Sequence, residues 1–401
     1  DGLTENWSDN PTFRQVTANG HPVNFDTLLH LGCDREKQIL GDHYEEPNNE
    51  IETAYDLFMP QYMYPFFETA LRHASGRSPA EHLDHLGRCY ERLSAVAAEN
   101  PFAWSRQRLQ GQDIAAATSG NRYVVYPYTI RMVANINVDQ AAALIMTGER
   151  DARLSGIEEN RLVYPMGGAE FSNIWHVSRR PCLYDSPAIT EAVRLSLKQA
   201  GLSLSDIDIF DLYSCFPSAV EIARRAVGIT EGDPRDLSLT GGLSYFGGPG
   251  NNYSLHAIAA AVERIRRDRR LTAMITANGW YNSKHAVGIY GAAPADNPWE
   301  DADHSAIQKA IRAAALPEPA EKADGPLTIE AFSTRYDTEG RPERSTVIGT
   351  LKNGGRALAD IQADGAELAK LMEIELVGTT GTVRYDPILG RNRLTITPVR
   401  S

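Results

Sequence analysis

Between residues 186 and 291 capped amphipathic helices alternate with short apolar runs, and few architectures accept that rhythm. "SPAITEAVRLSLKQAG" sets Ser186 as an N-cap, Pro187 at the first helical position, Ile189, Val193 and Leu197 as a stripe, and Gly201 as the stop. "IDIFDLYSCF" then reads as a buried strand, "SAVEIARRAVG" and "YSLHAIAAAVERIRRDRR" as helices, and "LTAMITANG" and "HAVGIYG" as further strands. The alternation predicts an α/β layer with helices on both faces of a buried sheet. At 401 residues the chain has room for two or three such units.

The flanks read differently. Residues 1–49 are polar and irregular. "MPQYMYPFFETALRHASG" and "SPAEHLDHLGRCYERLSAVAAENPFAW" predict two helices, the second capped by Ser78 with Pro79 and Glu81 behind it. "MVANINVDQAAALIMTG" suggests a small-residue turn followed by a buried helix or strand. Beyond Gly291 come a surface crossing, a short helix and a Pro-rich linker. From "LTIEAFSTRYDTEGRPERSTVIGTLKNGGRALADI" onward, apolar and polar residues alternate, with turn signals at Glu339-Gly340 and Asn353-Gly354. That tail predicts a small β-barrel of OB size.

Composition narrows the partners. A net charge of -12 and a pI near 5.4 argue against nucleic acid and against anionic membrane surfaces. No apolar run is long enough to span a bilayer and no signal-peptide pattern is present, so the cytoplasm is the expected location. Cys33, Cys89, Cys182 and Cys215 are scattered, which suggests neither a zinc site nor a disulfide framework. His73, His82 and His85 share a helical region, with His82 and His85 on one face, but no metal motif accompanies them and no metal is expected.

One stretch invites a ligand. "GGLSYFGGPGNNYSLHAIAAAVERIR", residues 241–266, is a Gly-rich loop feeding a helix. It lacks the G-x-G-x-x-G register of dinucleotide sites and the G-K-[ST] of phosphate loops. Gly241-Gly242, four residues, Gly247, a variable position and Pro249 instead resemble the catalytic loop of the thiolase superfamily, there G-G, four residues, G-H-P. "DLYSCFPSAVEIA" stands where that superfamily carries N-E-A-F or H-D-C-F, and "ANGWYNSKHAVGIYG" where it carries its last catalytic Cys or His. With "SPAI" and "KHAVGIY", the wording is most similar to thiolase-like proteins of type 1, which carry an added OB-like C-terminal domain.

The resemblance implies a layered αβαβα core plus that barrel. It divides the chain into the end of a first thiolase-like half with its loop region (1–150), a second half (151–300), a linker (301–325) and the barrel (326–401). The first half is incomplete, with no counterpart of the nucleophile segment. The chain is therefore expected to be a fragment, a processed product, or one partner of a split protein, with a homo-oligomer or a partner supplying the missing half. The resemblance also implies coenzyme A or acyl-CoA as ligand, with no tightly bound cofactor.

Two departures bear on chemistry. Gly248 replaces the histidine of G-H-P, and Ala277 and Asn278 occupy the region of the last acid/base residue. The remaining catalytic candidates are Cys215, Tyr213 and His285, the last read as a base that titrates near neutrality. Ser214, Gly247, Gly248, Asn251, Asn252, Tyr253 and Asn278 are candidates for holding substrate or coenzyme A, with Asn251, Asn252 and Tyr253 as donors to an oxyanion or thioester carbonyl. Three functions fit: an acetyl-CoA acetyltransferase-type acyltransferase with an altered catalytic set, a non-catalytic CoA or acyl-CoA binder, or a Tyr-dependent retro-aldolase.

Overall fold

The protein is described by a computed structural model covering residues 16–18, 21–23, 46–299 and 303–396. The chain forms two units, 1–46 and 47–401. Of the first, β1 (Val16–Ala18) pairs antiparallel with β2 (His21–Val23). The rest of the expected irregular opening lies largely outside the described residues. No helix among the described residues is long and apolar enough to cross a membrane.

The second unit opens with helices. α1 (Glu50–Ala54) starts in a capping box of Asn49 and Glu52. In α2 (Pro60–Ala74), Met63 through Arg72 are buried without interruption, which makes it an interior helix and not a surface amphipath. The predicted capping box of Ser78 and Glu81 starts α3 (Pro79–Glu99). Then follow α4 (Gly111–Ala115), β3 (Tyr123–Tyr126) and β4 (Tyr128–Thr129).

Residues 133–147 correct the sequence reading: they form neither helix nor buried strand, and Ile145 is 93% exposed. Val133 and Ala134 pack against the core, but no neighbouring element covers Ile145 and Met146. α5 (Glu149–Leu154) follows.

The α/β region matches the predicted alternation. It contains β5 (Tyr164–Ser172), α6 (Pro187–Ala200), β6 (Ile209–Asp211), α7 (Pro217–Val227), α8 (Gly242–Tyr245), α9 (Tyr253–Arg267), β7 (Ala273–Gly279) and β8 (Lys284–Gly291). Ser186 caps α6 and Gly201 ends it at φ 68°, a conformation glycine adopts without the strain a Cβ would cause. Sheet order is β5-β8-β7-β6, with β6 and β7 parallel and the other pairs antiparallel. Successive residues of β7 point to opposite faces. Ala273 and Ile275 join Ala257, Ala261 and Ile265 of α9, whereas Met274 joins the large cluster that includes Ile189 and Val193 of α6.

α10 (Ser305–Ala313) leads to a closed barrel of β9 (Asp324–Tyr336), β10 (Pro342–Leu351), β11 (Arg356–Ile361), β12 (Thr380–Asp386) and β13 (Arg391–Thr395). β9 pairs with both β10 and β12, and β11 pairs parallel with β13. Between the third and fourth barrel strands sits α11 (Gly365–Leu371), an element the sequence reading did not specify. This is OB topology, with Leu327, Val347, Val383 and Leu394 inside. The barrel's other face is continuous with the α/β core: Ala331, Ile348 and Leu358 belong to the same buried cluster as Phe67. The Thr69 hydroxyl of α2 accepts from the Phe332 amide (3.0 Å) and lies 3.1 Å from the Phe332 carbonyl of β9.

Candidate functional site

Because β6 and β7 are parallel and β8 returns antiparallel, the ends of β6 and β7 and the start of β8 share one edge of the sheet. Functional groups of α/β proteins gather at such edges. The β7–β8 turn is unusual: Trp280 (φ 55°) and Asn282 (φ 51°) are left-handed without being glycine. For a bulky aromatic that conformation carries strain and must be held from outside. It is held at each carbonyl. Tyr64 donates to Trp280 O at 3.0 Å, Arg180 to Tyr281 O at 2.8 Å, and Asn173 Nδ2 to Asn282 O at 2.7 Å.

Tyr64, on α2, is the hub the sequence reading missed. Its hydroxyl also accepts from Asn278 Nδ2 (3.0 Å) and the Asn282 amide (3.2 Å), and its ring stacks on Phe216 at 4.4 Å. A tyrosine in an apolar helix reads as core, and nothing local separates this one from its neighbours.

Of the predicted residues, Cys215 and Asn278 meet this hub, while His285 stands opposite Asn278 in the β7–β8 ladder and beside Asn173. Cys215 Sγ lies 3.9 Å from Asn278 Nδ2 and faces the Tyr64 hydroxyl. Burial pushes its thiol up to about 12, so it stays protonated at neutral pH. His285 departs from expectation. Its Nε2 lies 3.3 Å from Asn173 Nδ2, and burial drives its pKa down to about 3, so the imidazole is neutral and does not titrate near pH 7. Tyr213 packs edge-to-face on Tyr253 at 5.5 Å, and burial raises its phenol.

Asn278 Nδ2 is spent on Asn282 Oδ1 (2.7 Å) and Tyr64, yet Asn278 Oδ1 and Asn282 Nδ2 are buried without a partner. An unspent acceptor and an unspent donor thus sit four residues apart. Asn278 and His285 border a cleft of about 440 Å³, with Phe171, Lys284 and the exposed Asn251 on its walls.

The Gly-rich loop is occupied by the chain itself. Gly241 has φ 108°, and a Cβ there would land on Ala97 of α3. A Cβ at Gly247 would strike Gln140 Oε1, and one at Gly248 would lie 3.3 Å from Asn135 O. The Gly248 amide donates to Asn135 O at 2.8 Å, so residues 134–140 fill the space beside the expected histidine position. Ser214 Oγ accepts from the Leu243 amide (3.1 Å), Asn252 Nδ2 donates to Gln140 O (3.2 Å), and the Tyr253 hydroxyl pairs with Thr240 Oγ1 at 2.7 Å. Ser214, Asn252 and Tyr253 therefore anchor the loop. Beneath it, the fully buried Asp211 accepts from Ser238 Oγ and the amides of Leu239 and Thr240, and burial raises its carboxyl to about 6.

The His82 and His85 rings stack with centroids 6.0 Å apart but engage different carboxylates. His82 Nε2 lies 2.7 Å from Glu68 Oε1, and His85 Nε2 lies 3.3 Å from Glu221 Oε2. His85, Glu221 and Glu231 bring possible ligand atoms within 4.8 Å of one another, but Arg224 and Arg77 already pair with the two carboxylates.

A layered α/β core with a hydrogen-bonded cluster at its strand mouth, joined to an OB-like barrel, defines a thiolase-like protein with an added C-terminal module. Residues 306–387 match the family described as the thiolase-like protein type 1 additional C-terminal domain. Over 88% of this chain and 76% of the other, the structure is similar to a monomeric SCP2-thiolase-like protein type 1 from Mycobacterium smegmatis, at 35% identity and a TM-score of 0.80. The chain belongs to the thiolase-like protein type 1 family. More distant are an Ltp2-ChsH2(DUF35) aldolase (18% identity, 60% of this chain and 65% of that, TM-score 0.49) and human mitochondrial 3-ketoacyl-CoA thiolase in complex with CoA (17%, 57% and 58%, 0.40). No curated protein matches the chain.

Proposed function

We propose that the protein binds coenzyme A or an acyl-CoA thioester at the strand-mouth cleft and does not use these residues for thiolase-type acyl transfer. The observation that carries this reading is the protonation state of the cluster. Thiolysis needs a thiolate and a base near pH 7. Here the Cys215 thiol is held near 12, His285 near 3, and Tyr64 well above its ordinary value, all chiefly by burial.

Binding is supported by Asn278, which lines the cleft and whose Oδ1, left without a partner in the chain, suits an amide or thioester group, and by the likeness of the Gly-rich loop to the thiolase superfamily. The Tyr-dependent retro-aldolase reading is less well supported, because the Tyr253 hydroxyl is spent on Thr240 and burial raises the Tyr213 phenol.

Calorimetric titration with coenzyme A and acetyl-CoA tests the proposal. Saturable binding is expected, and Asn278→Ala should weaken it about tenfold by removing one buried hydrogen-bonding group. No heat with either ligand would overturn the reading, as would thiolytic turnover of acetoacetyl-CoA that disappears in Cys215→Ala.

A further inference from the structure

Arginines from three barrel strands converge on the turn between α1 and α2. Arg335 of β9 and Arg344 of β10 stand directly opposite each other in the ladder, an arrangement that like charges disfavour. Arg391 of β13 joins them at Asp56. That aspartate is left-handed, at φ 57°, without being glycine.

The charge at this turn does not balance. Asp56 Oδ2 accepts from Arg344 at 3.0 Å and from Arg391 at 2.8 Å. Asp360, the second carboxylate nearby, lies 3.6 Å from Arg391 and already accepts from the Thr346 hydroxyl. Arg335 pairs with neither. Its Nη2 donates to the Tyr55 and Asp56 carbonyls, and its guanidinium carbon lies 3.8 Å from the centre of the Tyr62 ring. Carbonyls satisfy its hydrogens but do not neutralise it. Burial, together with the charge of Arg344, lowers its pKa to about 10.

Arg344 Nε is buried and has no hydrogen-bond partner. The cluster is nevertheless open on one side, because the Asp56 side chain is 43% exposed and those of Arg344 and Arg391 are 24% and 21% exposed. On a chain of net charge -12, this is a local excess of cation at a solvent-facing edge.

The geometry narrows the anion. A planar carboxylate is met by one guanidinium fork or by two single donors, and Asp56 already supplies such a group. Guanidiniums carried by three different strands suit an acceptor whose oxygens point in several directions, as those of phosphate do.

We propose that Arg335, Arg344 and Arg391 form a site for the phosphate group of a small anion, which displaces the Asp56 carboxylate from Arg344 and Arg391. The site shares no lining residue with the strand-mouth cleft, so it does not rest on the coenzyme A reading.

Calorimetry on the full chain in low-salt buffer tests the proposal, with inorganic phosphate, glycerol 3-phosphate and acetate as probes. Saturable heat is expected with the phosphates and not with acetate, and the tighter of the two phosphates identifies the free or the esterified group as the source. Arg335→Gln should weaken phosphate binding about tenfold. Asp56→Asn should strengthen it about fivefold, because asparagine tolerates the left-handed turn and no longer competes for the two arginines. Coenzyme A heat that is lost in Arg335→Gln and kept in Asn278→Ala would support this site and overturn the cleft reading. No saturable heat with either phosphate, acetate binding as tightly as phosphate, unchanged affinity in Arg335→Gln, or weaker binding in Asp56→Asn would each overturn the proposal.

Discussion

The Gly-rich loop and the β7–β8 turn face each other across the strand mouth, and they use their unusual backbone in opposite ways. In the loop, positive φ and missing side chains let the chain's own atoms come close: Ala97, Gln140 and Asn135 occupy the room the glycines leave. In the turn, Trp280 and Asn282 accept left-handed conformations despite their side chains, and beside it lie a buried acceptor, Asn278 Oδ1, and a buried donor, Asn282 Nδ2, that no group of the chain satisfies. A glycine pattern thus reports close approach without saying what approaches. Strain in non-glycine residues, held by Tyr64, Arg180 and Asn173, is the stronger pointer to a ligand.

The comparison can be broken most forcefully through pH. His285 lies under the turn with its native pKa lowered from 6.5 to about 3, so the unfolded chain binds the extra proton first and stability rises with pH across that window. Its contribution is up to about 5 kcal/mol, an order-of-magnitude figure. Asp211 lies under the loop with its native pKa raised from 3.8 to about 6, so there the native state binds the extra proton and stability falls as pH rises through that window, by about 3 kcal/mol. Urea denaturation from pH 3 to 7 should show His285→Gln flattening the acid loss and Asp211→Asn removing the opposite slope. Parallel profiles for wild type and both variants would dissolve the contrast.

Gly241→Ala is the next largest test. Its Cβ would meet α3 backbone at φ 108°, and overpacking plus backbone strain should cost about 4 kcal/mol by chemical denaturation. A loss below about 1 kcal/mol would mean that α3 yields easily and that the loop is not tightly filled. The smallest effect is expected at Gly248, where an added methyl would lie 3.3 Å from Asn135 O and 3.4 Å from Ala134 Cβ. Gly248→Ala should cost no more than about 1 kcal/mol. Gly248→His should yield no thiolysis, because the Cys215 thiol is buried and Asn135 and Ala134 already crowd position 248; turnover in that variant would show that one histidine is all the site lacks.

Much of the fold could be read from local signals. Ser78 with Glu81, Ser186 with Pro187 and Gly201, and the turns at Gly340 and Gly354 all fall where capping and turn chemistry put them, because those preferences are settled within a few residues. Residues 133–147 failed for the complementary reason. An apolar pattern says that a segment wants cover, not that cover is present. The candidate site was legible by position, since Cys215 lies 3.9 Å from Asn278 and His285 stands opposite Asn278 in the β7–β8 ladder. Its chemistry was not, since the shifts of Cys215 and His285 come from burial depth, which depends on elements far apart in sequence. Tyr64 gave no signal at all, being more than 200 residues from the turn it holds.

α2 carries Tyr64 at the cleft and, five residues later, Thr69 against the barrel. The added module is therefore not an appendage that can be trimmed away to leave a working half. It forms one wall around the helix that fixes the β7–β8 turn, so the two regions should melt in a single cooperative transition, and removing the barrel would unseat the asparagines as surely as mutating them.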